Sequence, residues 1–318
     1  MTKLPGFLDT IWHPSTVNEL IAGSVGGAAQ VLVGQPLDTV KTRAQIAPSE
    51  FYLILALFFH SPIQKRIDLS QKGPMDILVQ TVRKEGVLAL WKGMASPLIG
   101  IAGVNSLLFT SYAISKRMIS PFPDLSLKEI AAAGAMAGAA NSVLASPVEM
   151  FKVRMQGQYG SPGDKRLRAL VSEMWSHWGF RKGVMRGFWV TVAREIPAYA
   201  GFYSGFEFAK RRFRKRYPGS SLPVWALLAS GSCGGISYWL ACYPLDVIKS
   251  RVQLRATPPT GTPVQYIAHE FKTIVSESGF RGLFRGLSPS LLRSIPAAGA
   301  TFGAFELTRE FLRETTGV

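Results

Sequence analysis

Pro36-Leu37-Asp38-Thr39-Val40-Lys41-Thr42-Arg43-Ala44-Gln45 decides the fold of this chain, because it is written three times. It returns as Pro147-Val148-Glu149-Met150-Phe151-Lys152-Val153-Arg154-Met155-Gln156 and as Pro244-Leu245-Asp246-Val247-Ile248-Lys249-Ser250-Arg251-Val252-Gln253. Proline, acid, lysine, arginine and glutamine keep their offsets in all three copies. Such self-similarity marks three versions of one supersecondary unit that complete a core together. Upstream, two glycines precede each proline by thirteen and nine residues: Gly23 and Gly27, Gly134 and Gly138, Gly231 and Gly235. Each pair is a GxxxG in an apolar stretch, which lets a neighbouring helix backbone approach closely.

Downstream, each segment leads to a second shared mark. Glu85-Gly86 precedes Trp91-Lys92-Gly93, Gly179 precedes Met185-Arg186-Gly187, and Gly279 precedes Phe284-Arg285-Gly286. Another apolar segment follows each mark, ending at Tyr112-Ala113-Ile114-Ser115-Lys116, Phe206-Glu207-Phe208-Ala209-Lys210 and Phe305-Glu306-Leu307-Thr308-Arg309. Uncharged runs at 20–37, 94–115, 130–148 and 217–245 are long enough to cross about 30 Å of hydrocarbon, which takes about 20 helical residues. The segments around Arg194 and Arg293 supply two more spans, interrupted by charge.

These observations predict an all-α membrane protein with six transmembrane helices in three pseudo-threefold repeats of about 100 residues, each with a short amphipathic helix in its polar loop. The predicted divisions are an N-terminal segment 1–16 and repeats 17–117, 126–216 and 223–312. The first proline-to-proline spacing is 111 residues and the second 97, so repeat one holds 14 extra. The apolar run 51–59, within an extra stretch near 50–64, is the candidate insertion: an interfacial anchor or a retained intron in the gene model.

Composition agrees with a membrane class. The chain has 318 residues, 47% hydrophobic and 18% charged, with 31 Gly and 20 Pro spread along it, which excludes disorder. Mean hydropathy is only +0.16, as expected of helices that face lipid on one side and water on the other. Two cysteines and four scattered histidines supply no disulfide scaffold and no metal site. The net charge of +16 admits a nucleic-acid partner, but its placement between apolar runs fits loops beside anionic lipid better. Residues 1–17 read as neither a secretory signal nor an Arg-rich transit peptide.

A proline inside each odd-numbered helix removes a ladder hydrogen bond and kinks the rod, bringing three helix ends together. Acid and lysine lie three residues apart, so each helix offers opposite charges to its two neighbours. Charges within a span are costly, about 2.5 to 3.5 kcal/mol for Arg or Asp at a helix centre. Arg194, Glu195 and Arg293 are therefore expected to face a water-filled cavity and touch substrate. Arg194 and Arg293 each lie thirteen residues before an acid, Glu207 and Glu306, and Gly100 is their counterpart in repeat one. Trp239, seven residues before Asp246, is nearly in phase with it and is a candidate platform for a cationic or apolar group.

The triplicated PxDxxKxRxQ-type segments and the GxxxxWKG-type marks resemble the mitochondrial carrier family over residues 17 to 312. That resemblance implies a cofactor-free, monomeric, multi-pass transporter of the inner mitochondrial membrane, with both termini toward the intermembrane space and the intra-repeat loops toward the matrix. It implies a matrix gate pairing Asp38 with Lys152, Glu149 with Lys249 and Asp246 with Lys41, braced by Gln45, Gln156 and Gln253. It implies a cytoplasmic gate pairing Glu207 with Arg309 and Glu306 with Lys116, while Lys210 lacks a partner because Ala113 stands where an acid is usual. Gly93, Gly187 and Gly286 are implied contacts for cardiolipin.

The Arg194-Glu195-Ile196-Pro197 and Arg293-Ser294-Ile295-Pro296-Ala297 segments resemble the contact sites of the amino-acid and acylcarnitine branch. A cation beside an anion suits a zwitterion better than a polyphosphate. Gly100, Val104 and Asn105 line the second helix in this reading. Gly103-Val104-Asn105-Ser106 carries no acid for a second ammonium, which favours carnitine-like or neutral amino-acid solutes over lysine, arginine or ornithine. No nucleophile, base and oxyanion set appears, so the expectation is a transporter and not an enzyme. A proton-leak or regulatory protein of the same fold is the alternative, against which the two arginines and Glu195 speak. A nucleic-acid binder leaves six apolar helices unexplained.

Overall fold

The computed structural model describes residues 14–46, 73–120, 122, 124–158, 164–217, 222–255 and 257–316. The apolar run 51–59 and nearly all of the N-terminal segment lie outside the described residues. Each repeat is a long helix, a short helix, one tight helical turn and a second long helix. Repeat one contains α1 (Pro14–Ile46), α2 (Pro74–Glu85), a 3-10 turn (Val87–Trp91) and α3 (Ala95–Ile119). Repeat two contains α4 (Leu127–Gln156), α5 (Leu167–Gly179), a π turn (Phe180–Val184) and α6 (Phe188–Arg216). Repeat three contains α7 (Val224–Leu254), α8 (Pro263–Ser278), a 3-10 turn (Phe280–Phe284) and α9 (Leu287–Thr316). No strand occurs among the described residues.

Local chemistry explains several boundaries. Pro74 and Pro263 open their helices at the first position, where a missing N–H costs nothing. At α4 the Glu129 N–H donates to Ser126 Oγ at 3.3 Å while the Ser126 N–H donates to Glu129 Oε2 at 2.6 Å, a reciprocal cap. At the turns that lead into α3, α6 and α9, Gly93, Gly187 and Gly286 hold φ of +81°, +79° and +81°, a conformation that only glycine enters freely. A side chain there would also strike the next long helix. A Cβ on Gly93 would lie 2.9 Å from Lys152 O, and one on Gly286 3.1 Å from Lys41 O.

The six long helices close into a ring in the order α1, α3, α4, α6, α7, α9 and back to α1. The repeats join tightly to one another: α3 to α4, α6 to α7, and α9 to α1. Within repeats the packing is uneven. In repeat two the GxxxG glycines lie against backbone, Gly134 facing Tyr199 O and Gly138 facing Glu195 O, so α4 and α6 run in close contact. In repeat one Gly23 meets nothing within 4 Å, and α1 touches α3 over a short stretch.

Within the long helices many polar side chains are buried while many large apolar ones lie on the outside. Asn141, Ser142, Ser146, Ser230, Ser290 and Ser294 are buried, while Ile99, Phe109, Leu240, Leu292 and Leu307 are exposed. An exterior of that kind is suited to lipid. Among the described residues only Val87–Ile119 combines helical length with strong hydropathy. The other long helices fall short because they carry the polar lining.

Candidate functional site

Helices α1, α4 and α7 carry Pro36, Pro147 and Pro244 and continue about ten residues beyond them. At these ends the three acids and three lysines meet across helices. Lys152 Nζ donates to Asp38 Oδ2 at 2.5 Å, Lys41 Nζ lies 2.6 Å from Asp246 Oδ2, and Lys249 Nζ donates to Glu149 Oε2. Each long helix gives its acid to one neighbour and its lysine to the other, so the three ends are tied in a cycle. Lys41 Nζ also sits 3.9 Å from the centroid of the Trp239 ring.

The glutamines divide. Gln45 Nε2 donates to Asp246 Oδ2 at 2.8 Å, and Gln45 Oε1 accepts from Ser250 Oγ at 2.8 Å. Gln156 Oε1 accepts from Thr42 Oγ1 at 2.8 Å, and its Nε2 donates to Thr39 Oγ1 at 3.2 Å. Gln253 finds no partner for either amide atom among the described residues. The reason is one residue: the position that carries Thr42 in α1 and Ser250 in α7 is Val153 in α4, which has no hydroxyl.

Both mid-span arginines dock onto the same cluster; Arg194 and Glu195 are buried there and do not face a water-filled cavity as expected, whereas Arg293 stays partly open. The Arg194 side chain is 1% exposed, donating to both Glu149 oxygens at 2.9 and 3.1 Å and to Tyr238 Oη at 2.8 Å. It also pairs with Glu195 and lies 3.5 Å from Asp246 Oδ1. A guanidinium with five donors reaches several carboxylates at once, and the loss of solvent is offset by these contacts. Arg293 Nε lies 2.9 Å from Asp38 Oδ1 without an aligned hydrogen bond, and its side chain remains 16% exposed. Five cations therefore face four carboxylates, leaving one positive charge in excess.

At the opposite end the pairs expected between helices do not form among the described residues of this structure. Glu207 pairs with Arg211 at 2.9 Å and Lys210 at 3.8 Å on its own helix, so Lys210 has a partner. Glu306 pairs with Arg309 at 2.5 Å, again within one helix. Lys116 Nζ lies 5.1 Å from the Tyr112 ring. Charges there satisfy themselves locally because helices joined at one end are not also drawn together at the other. Of the remaining candidates, Gly100 packs against α4, where a Cβ would lie 2.5 Å from Val148 Cγ2. Asn105 lies against Gly27, and Val104 is half-buried on α3.

The family profile described as mitochondrial carrier protein matches residues 13–122, 124–217 and 220–316, three times in succession. The chain belongs to the mitochondrial carrier family. It is 33% identical over 316 residues to a mitochondrial carnitine/acylcarnitine carrier-like protein of Arabidopsis thaliana, covering 92% of this chain and 98% of that protein. It is 32% identical over 306 residues to mitochondrial ornithine transporter 1 of Rattus norvegicus, covering 92% and 94%. It is 32% identical over 309 residues to the mitochondrial glycine transporter YMC1 of Saccharomyces cerevisiae, covering 93% and 92%. The solutes in these names differ, so the comparisons carry the family and not the substrate.

Sequence reasoning missed several parts of this carrier's site. The motif arginines act as ties behind the ion pairs: Arg43 Nη1 lies 2.5 Å from Glu85 Oε1, and Arg154 donates to Gln253 O at 2.9 Å and Arg255 O at 2.7 Å. Burial would push the Glu85 carboxyl up, but hydrogen bonds from Arg43 and Lys92 outweigh it and hold the group below the ordinary carboxylate range. The residue before each proline is another. Gln35 Nε2 donates to Lys92 O at 2.7 Å and Tyr243 Oη to Arg285 O at 2.9 Å, whereas Ser146, too short, leaves its hydroxyl without a partner among the described residues. Gly34 makes room for Arg293: a Cβ there would lie 2.5 Å from Arg293 Nε.

Proposed function

We propose that this carrier moves a small solute bearing both a carboxylate and a cationic nitrogen, an amino acid or a carnitine ester, across the inner mitochondrial membrane by alternating access. The observation that carries the reading is the cation–anion pair Arg194-Glu195 together with Arg293, the two arginines lying within reach of the gate acids. A zwitterion presents one charge to each kind of group. The relatives' names, which include carnitine/acylcarnitine, ornithine and glycine, support the same class. The cycle of ion pairs at the ends of α1, α4 and α7 is the matrix gate in its closed form. The charges at the other end form the cytoplasmic gate in its open form, since none of them pairs across helices among the described residues. Trp239 serves the cationic nitrogen once Lys41 has left its ring, and Gly93, Gly187 and Gly286 shape cardiolipin contacts of a monomer.

A binding screen tests the reading. Purified protein is heated in the presence of glycine, ornithine, carnitine, dicarboxylates and nucleotides, because a ligand that binds the folded state raises its melting temperature. Stabilisation by carnitine or an amino acid, lost in Arg293→Ala and altered in charge preference by Glu195→Gln, is the expected result. Losing an arginine from a desolvated carboxylate costs about 2 to 5 kcal/mol in binding. Stabilisation by nucleotides alone, or proton conductance with no solute bound, overturns it.

A further inference from the structure

Asn141 is a buried polar side chain for which the fold supplies no counterpart. It lies on α4, 1% exposed, and neither its Oδ1 nor its Nδ2 meets a hydrogen-bond partner among the described residues. A primary amide removed from water with donor and acceptor both unmatched is destabilising, so its presence here needs a reason. Gln253 is idle as well, but there Val153 stands in place of the hydroxyl that the other glutamines use. Asn141 lies outside that set of braces, and its position points to a different cause.

Repeat symmetry fixes its level and its face. Asn141 is six residues before Pro147, as Tyr238 is six before Pro244 and Gln30 six before Pro36. Tyr238 Oη accepts from Arg194 Nη1 at 2.8 Å, so this position of the repeat stands at the height of the mid-span charges. Three residues before Asn141, Gly138 packs against Glu195 O. Eleven residues after it, Lys152 crosses to Asp38, and at about 3.6 residues per turn eleven residues return a helix to the same face. Asn141 therefore lies on the inward face of α4, roughly 12 Å along the helix from Glu149. Arg194 and Glu195 are taken up by each other and by the gate cluster, whereas the hydrogen-bonding capacity of Asn141 is unused.

We propose that Asn141 is a solute ligand and makes this carrier select amino acids over carnitine esters: its Oδ1 accepts from the solute's ammonium and its Nδ2 donates to the carboxylate. The inference rests on the zwitterion reading and narrows it to one class. An amino acid carries, one carbon apart, the donor and the acceptor that a primary amide matches. A quaternary ammonium has no N–H, so a carnitine ester in the same place leaves Oδ1 unmatched. Sites built to hydrogen-bond an N–H reject the analogue that lacks it, because the buried partner group stays unpaired.

The test takes whichever of glycine, alanine and ornithine binds most tightly and compares it with its Nα-dimethyl and Nα-trimethyl forms. The dimethyl form keeps one N–H in its zwitterion and the trimethyl form none, while all share the carboxylate. Dissociation constants come from melting-temperature titrations of the purified full chain. Wild type should bind the parent and dimethyl forms at least about 10-fold more tightly than the trimethyl form. Asn141→Leu, close in volume and without the amide, should bind parent and trimethyl forms alike. Its solute-free melting temperature should equal or exceed that of wild type, because an unmatched amide has been removed. Asn141→Asp keeps an acceptor and should keep the preference for N–H donors. A dimethyl form that falls together with the trimethyl form identifies bulk as the cause and overturns the proposal, as does a preference for N–H that survives in Asn141→Leu. Carnitine bound in place of every amino acid overturns it too and leaves the zwitterion reading standing, whereas nucleotides bound in place of all zwitterions sink both. Should Asn141→Leu fail to fold, Asn141→Ala carries the same comparison.

Discussion

At the scale of the residue, Glu85 shows how one carboxylate governs a region that the ion-pair ring does not touch. It neutralises Arg43, a fully buried cation, and takes a second contact from Lys92 Nζ at 2.7 Å. Its folded carboxyl titrates below the ordinary value of about 4.3, so the stability it contributes is complete above that pH and is lost as pH falls through the depressed folded value. Glu85→Gln should flatten the acid limb of a melting-temperature profile and, by removing the counter-charge of buried Arg43, cost about 1 to 3 kcal/mol at neutral pH. An unchanged profile between pH 3 and 6 contradicts that role. Residue-level detail was only partly legible beforehand. The acids and lysines announced themselves by recurring three times, and Val153 explains the idle Gln253 once its two counterparts are known. The docking of Arg194 was not legible, because offsets along a helix place a side chain on a level but do not say how far a flexible guanidinium reaches. Gly34 was hidden for a related reason: a missing side chain has meaning only when the group filling its space is seen.

At the scale of the element, each of α1, α4 and α7 is joined to the other two by one acid and one lysine, so opposite pairing at each corner, and not which helix carries which sign, should matter. The Lys41–Asp246 corner is the cleanest place to test this, since Arg194 stands 3.5 Å from Asp246 whereas Arg293 stands 2.9 Å from Asp38. Lys41→Asp leaves two carboxylates facing each other, a break worth about 3 to 5 kcal/mol for a buried pair, and should abolish transport. Adding Asp246→Lys should recover part of the rate. A double variant no better than the worse single one, in matched folded preparations, removes the support for pairing. At the other end, Ala113→Glu offers Lys210 a partner across helices and should shift the population toward the form closed on that side, read as slower labelling of a cysteine placed above the site. The six long helices and three short ones could be read from the repeat. Which end is tied could not, because the recurring offsets place charges at both ends and do not say which set pairs across helices.

At the scale of the whole molecule, three joined repeats make a ring that is tied at one end and free at the other. The joints between repeats are close at glycines such as Gly26 and Gly201, where an added Cβ would lie 2.8 Å from Thr301 O and 2.7 Å from Ser237 O. The contacts within repeats one and three are slighter. Under the alternating-access reading proposed above, rocking should therefore occur within repeats one and three, around a single site on the axis. The most direct test of the account is counter-exchange in liposomes loaded with unlabelled carnitine, glycine or ornithine and presented with the labelled form of each. The account predicts saturable exchange of at least one of these solutes, abolished by Arg293→Ala and by Lys41→Asp and partly recovered in Lys41→Asp with Asp246→Lys. Exchange of nucleotides or phosphate in place of all three, or exchange indifferent to Arg293, would contradict it.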